Sequence, residues 1–251
     1  MAFNRKAQKE SDQSTRRLMD YVCETAPWDS FFDELIVRFI EPAANKLERD
    51  FEHVRDELFD GPGHSIAWGF IFEEMVSVDW NNEGNAIAAY LKQRGWRESS
   101  YGKSYLRALA KSSVKLWEIT DVSPGQWIDL RLHGTTNKPK KAYENNASQY
   151  AEPGECLAAR VLLAGKQRVL SDASLLLSED IVHRIQARVQ KIPGEIEALY
   201  QEIEREENLK LSDLPDDPSE EIQHAQEELL AKLAFSLWVA TTLLPKKYET
   251  T

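Results

Sequence analysis

The 251 residues include 42 acidic and 31 basic side chains, a net charge of −11, with 42% hydrophobic residues, seven tryptophans and two cysteines. A chain of this size and composition can bury a core without disulfides or a structural metal, which excludes the disordered, collagen-like and disulfide-scaffold classes. Its acidity excludes a large nonspecific nucleic-acid surface and leaves a local basic patch as the only route to such a ligand.

The first apolar pattern, Leu18, Tyr21 and Val22, suits an amphipathic helix from about Ser14 that stops before Pro27, because proline disfavours helical geometry in the residue ahead of it. Asp29 or Ser30 can cap a second helix bearing Phe31, Phe32, Leu35, Ile36, Phe39 and Ile40. Pro42 should interrupt it before it resumes with Leu47, Phe51, Val54 and Leu58 and ends at Gly61-Pro62-Gly63. Residues 66 to 80, with Ile66, Trp68, Phe70, Ile71, Phe72, Met75, Val76 and Trp80, form the most apolar stretch in this region and predict the buried central helix of an N-terminal bundle. After the turn at 81–84, Ile87, Tyr90 and Leu91 fit a helix closed at Gly95, and Ser99 or Ser100 can cap another through Leu109.

Near residue 114 the period shortens to two. Leu116–Asp121, Trp127–Leu132, Pro139–Glu144, Cys156–Leu163 and Arg168–Leu170 predict five short strands, with turns at Ser123-Pro124-Gly125 and at 164–167. Five strands in so few residues predict a small barrel or strongly twisted sheet, which protects its edges. Ser178 starts a helix bearing Ile181, Val182, Ile185 and Val189, and another runs from Ile196 to Ile203. A Pro- and Asp-rich linker, 211 to 219, leads to a last helix whose stripe is Ile222, Ala225, Leu229, Leu233, Leu237 and Ala240. The expected class is therefore α+β: an N-terminal helical domain (1–113), a β module (114–178) and acidic C-terminal helices (179–251).

Charge follows that division. Lys and Arg number 15 against 19 acids in residues 1–113, 8 against 7 in 114–178, and 8 against 16 in 179–251, so the β module is the least acidic part. No apolar run is long enough to span a membrane and no secretion signal opens the chain, which predicts a soluble cytoplasmic protein without a membrane partner. Cys23 and Cys156 are expected to pack as small hydrophobes in a reducing compartment.

Residues 115–171 carry Trp117-Glu118-Ile119, Val122-x-Pro124-Gly125, Leu130-Arg131, Glu144, Ala147-Ser148, Gly154-Glu155, Ala158–Leu162 and Gly165 before Val169-Leu170-Ser171. The stretch resembles a small β module of uncharacterised bacterial proteins, many of which carry a SEC-C-type zinc motif. The zinc motif is missing here, and Asp129–Thr135 departs from the usual Asp-Leu-Leu-Thr-Gly-Glu. The resemblance implies a bacterial β module with a binding role and no catalytic residues.

No cofactor, metal or catalytic residue is expected. Asp50/His53, Asp180/His183 and Glu221/His224 have the acid-x-x-His spacing of di-metal bundles, but all three lie off the apolar stripes, whereas bundle ligands point inward. No nucleophile elbow surrounds a serine or cysteine, and Gly61-Pro62-Gly63-His64 lacks the lysine of a phosphate loop. The expected function is a non-catalytic adaptor with an unknown protein partner, whose contact residues would be Leu233, Leu237, Trp238 and Leu244 on the last helix. The alternative is a nucleic-acid-binding protein using a basic face of the β module: Arg131, Lys138, Lys140, Lys141, Tyr143, Arg160, Lys166 and Arg168, with Trp127.

Overall fold

The structure, a computed structural model of the chain, describes residues 5–61, 63–80, 84–198 and 219–243. Its helices are α1 (Arg5–Glu24), α2 (Trp28–Leu47), α3 (Phe51–Asp60), α4 (His64–Ser77), α5 (Ala86–Arg94) and α6 (Ser100–Ala110), then α7 (Glu179–Val189) and α8 (Ser219–Leu243) after the sheet. The fold is α+β: a helical bundle, a curled half-barrel sheet and C-terminal helices. The predicted helix from Ile196 and the linker before Ser219 lie largely outside the described residues, as do Pro62 and the turn residues 81–83.

Side-chain caps set three helix starts. Asp50 accepts from the His53 amide (3.2 Å), Asn85 from that of Ala88 (2.8 Å) and Ser99 from that of Gly102 (3.0 Å), each capping its helix. Pro42 does not interrupt α2 as the sequence suggested. It sits on the solvent side, where the carbonyl left without a donor can turn to water, and the helix stops instead at Glu48 in the left-handed conformation (φ 54°).

In α4 every residue from Phe70 to Val76 is buried, as expected for a central helix, and that run includes Glu73 and Glu74. The apolar side of α8 returns to the N-terminal bundle: Phe235 meets Phe39 edge-on and tilts against Phe70, with both ring centroids 5.5 Å away. One core runs from Leu18 in α1 through α2–α7 to Val239 in α8.

The sheet contains seven strands: β1 (Lys115–Ser123), β2 (Trp127–Leu132), β3 (Lys140–Tyr143), β4 (Cys156–Ala159), β5 (Val161–Ala164), β6 (Gln167–Leu170) and β7 (Leu175–Leu177). They are ordered β5-β6-β3-β2-β1-β4-β7, and only the β3–β6 pair is parallel. Two differences from the predicted five strands have a common cause. The segment 156–163 is not one strand but bends at Arg160, so that β4 pairs with β1 while β5 pairs with β6. Leu175–Leu177, three successive leucines without alternation, becomes a strand only by pairing with β4.

Alternation along the strands divides the side chains. Trp117, Ile119, Ile128, Leu130, Ala142 and Leu157 fill the concave side, while Leu116, Cys156, Ala158 and Leu162 join the helical core. The curl is thus clamped between its own interior and the bundle.

Candidate functional site

The structure does not assemble the basic face expected on the β module. Arg131 on β2 makes two hydrogen bonds to the Glu118 carboxylate of β1 (2.6 and 3.2 Å), its cross-strand neighbour in the register. Lys141 on β3 lies over the Trp127 ring and 3.8 Å from Asp129, again directly opposite. Lys140 alternates to the other face of β3, and Tyr143 is half-buried against the helical core. Lys138 is exposed in the segment before β3.

Arg160 is the clearest correction. At 3% exposure it is a core residue, donating to Glu74 through Nη2 and to Ser112 through Nη1. A guanidinium enters the interior here opposite the buried Glu74 carboxylate, which it pairs. Burial pushes the Glu73 carboxyl up to about 8, with Arg160 opposing the rise and Asp172 adding to it.

Lys166 and Arg168, by contrast, are exposed on the β5–β6 hairpin, whose β5 strand lines a groove that sequence reasoning missed. The Gly165 amide donates to Ser104 Oγ (2.7 Å) and pins the β5–β6 turn onto α6. Between α6 and β5 runs a cavity of about 570 Å³ lined by Ser104, Arg107, Lys111, Lys115, Trp117 and Leu163, among others. Lys103, Arg107 and Lys111, four residues apart, form one row along α6. Lys115 continues it at the start of β1, and Arg168 sits opposite Leu163 in the β5–β6 register. None of these six cations forms an ion pair with a described residue. The sequence signal was an absence: Ser99–Trp117 and Cys156–Ser171 contain no Asp or Glu. Folding brings these two acid-free stretches together.

A second cavity, about 370 Å³ between α2, α4 and α8, is also charged, but its charges compensate one another. Arg38 binds Glu34 (2.7 Å) and lies 3.5 Å from Glu228, and Lys232 is 2.5 Å from Glu228. Against the upward push of burial, the Lys232 hydrogen bond holds the Glu228 carboxyl below its ordinary range.

Among the described residues no group of three or more His, Cys, Asp or Glu is placed to hold a metal ion, and no helix is long and apolar enough to cross a membrane. Asp50 serves as a helix cap, His183 lies 3.5 Å from Glu179, and the Glu221 side chain is outside the described residues. Of the proposed adaptor contacts, Leu237 and Trp238 are buried in the bundle, Leu233 packs against it, and Leu244 lies outside the described residues. Cys23 is exposed and Cys156 buried.

Comparison with curated proteins and with solved structures finds no match. Residues 70–207 match a protein family, a span that runs from the middle of α4 through α6, the whole sheet and α7. All six of these cations fall inside it. On that match, which covers more than half of the sequence, the chain belongs to the family of unknown function DUF7986.

Proposed function

We propose that the protein is a non-catalytic cytoplasmic binding protein that holds nucleic acid by its phosphates in the groove between α6 and β5. The observation carrying this reading is that Arg107, Lys111 and Lys115 line one groove, with Lys103 on the same helix and Lys166 and Arg168 on the adjoining β5–β6 hairpin, and that none of the six has a carboxylate partner among the described residues. In a chain of net charge −11 such a surface would attract a polyanion locally while the rest of the molecule repels it, which favours one docking position. The adaptor reading has less support. Among the described residues the large apolar side chains that are exposed, Val37, Ile66, Trp96, Tyr150, Leu163 and Leu176, stand on different elements, whereas Leu237 and Trp238 are already used inside the bundle.

The test is fluorescence anisotropy with a labelled oligonucleotide over a salt series. The expected result is a log Kd that rises linearly with log salt. The triple variant Arg107→Gln/Lys111→Gln/Lys115→Gln should weaken binding and flatten the slope by about 2, because each lost phosphate contact removes about 0.7 for a single strand. Arg49→Gln/Arg55→Gln, which removes cations already paired with Glu57, Glu52 and Asp56, should leave the slope unchanged. Binding that is absent at low salt, or insensitive to it, would refute the reading.

A further inference from the structure

Next to the basic groove lies a cavity of different chemistry. About 370 Å³ in volume, it opens between the sheet and the helices α7 and α8. Its bed is apolar, with Leu116, Leu132, Ile185, Val189 and Leu230; four glutamines reach it, Gln186, Gln190, Gln223 and Gln226, and His133 and Glu227 also line it. Such a combination, an apolar floor with a few polar groups, most of them neutral amides, at a volume above about 300 Å³, is that of a small-ligand pocket. Lys115 lines both this pocket and the basic groove, so one cation borders the two.

The polar atoms are partly committed. Gln186 Nε2 donates to His133 Nδ1 (2.9 Å) and Gln226 Nε2 to the Val189 carbonyl (3.3 Å). No described group donates to the amide oxygen of either side chain, so each oxygen is available as an acceptor.

We propose that this pocket takes one unstacked nucleobase carrying an exocyclic amino group, from a single strand whose phosphate lies at Lys115. The inference rests on the nucleic-acid reading of the groove and narrows it to single strands, since a base within a duplex cannot leave the stack without unpairing. The apolar bed covers the base face, and the Gln186 and Gln226 oxygens accept from the amino group. Cytosine offers that donor at N4, while thymine presents a carbonyl at the same position, so the amide oxygens would oppose it.

The experiment compares oligo(dC) with oligo(dT) of equal length by anisotropy across the same salt series. Wild-type protein is expected to prefer oligo(dC) by about tenfold, the size of one discriminating hydrogen-bonded base contact. Gln186→Leu/Gln226→Leu, checked for folding by its thermal melt, should bind both oligonucleotides equally and keep the wild-type salt slope. Equal affinity of the wild-type protein for oligo(dC) and oligo(dT), with steep salt dependence retained, would overturn the pocket and leave the groove standing. Failure of the wild-type protein to bind either oligonucleotide at low salt would overturn both.

Discussion

Glu73 and Glu74 sit side by side in the most apolar helix of the chain, and each meets burial differently. Glu74 accepts a hydrogen bond from Arg160, a charge-assisted contact that keeps its carboxylate satisfied. Glu73 stands 4.0 Å from Arg160 Nε, an atom that makes no hydrogen bond among the described residues, and also faces Asp172, Ser171 and the Ala173 backbone. With its carboxyl pushed up to about 8, Glu73 holds a proton in the folded protein at neutral pH, whereas near its ordinary value of 4.5 the unfolded chain has already begun to release it. The folded state therefore binds more protons between these values. Stability from this group is fully present below about 4.5 and is lost as pH rises toward about 8. Glu73→Gln, which keeps the shape and removes the titration, should lose less stability than wild type across that interval in urea denaturation. Parallel stability–pH curves for the two proteins would exclude this assignment. The two glutamates were visible in the sequence, but their counter-ion lies 86 positions beyond Glu74, and no local pattern connects them.

At the scale of elements, the crossing of α1 with α6 depends on one absent side chain. Ser14 Oγ and Tyr90 Oη each donate to the buried Glu98 carboxylate at 2.5 Å, and Arg17 approaches it at 3.4 Å, tying α1, α5 and the start of α6 to one group. Gly102 on α6 lies against that group, and a β-carbon there would overlap Ser14 Oγ and Glu98 Oε2. Glycine weakens a helix interior by about 1 kcal/mol relative to alanine, so propensity alone favours Gly102→Ala. Packing reverses the sign. Overfilling this contact should lower stability by about 1–3 kcal/mol, read from the denaturation midpoint at unchanged m-value. The Ser99 cap and the apolar stripe of α6 were legible because both act within one or two turns. The demand for glycine at 102 was not, because it comes from helices outside α6.

For the whole molecule, Arg160 joins the bundle to the sheet at the bend between β4 and β5, contacting both α4 and the Ser112 turn. Because the core is continuous across this junction, its loss is felt by both halves. Arg160→Met should destabilise the protein by about 3–5 kcal/mol by leaving Glu74 buried without a partner, and adding Glu74→Leu should restore much of that loss. A single variant as stable as wild type would show that the pair has no structural role. Helices, turns and the change from helical to strand period were readable along the chain, since apolar spacing, Pro and Gly act over a few residues. The bend at Arg160 and the strand Leu175–Leu177 were not, because strand pairing is settled by distant partners. The same limit governs the candidate site. Residue type told which side chains carry charge, but only folding decided which charges are neutralised. Cross-strand register sets Glu118 against Arg131 and Asp129 against Lys141, the interior takes Arg160, and two acid-free stretches meet at α6 and β5, where Arg107, Lys111 and Lys115 line one groove without an ion pair among the described residues.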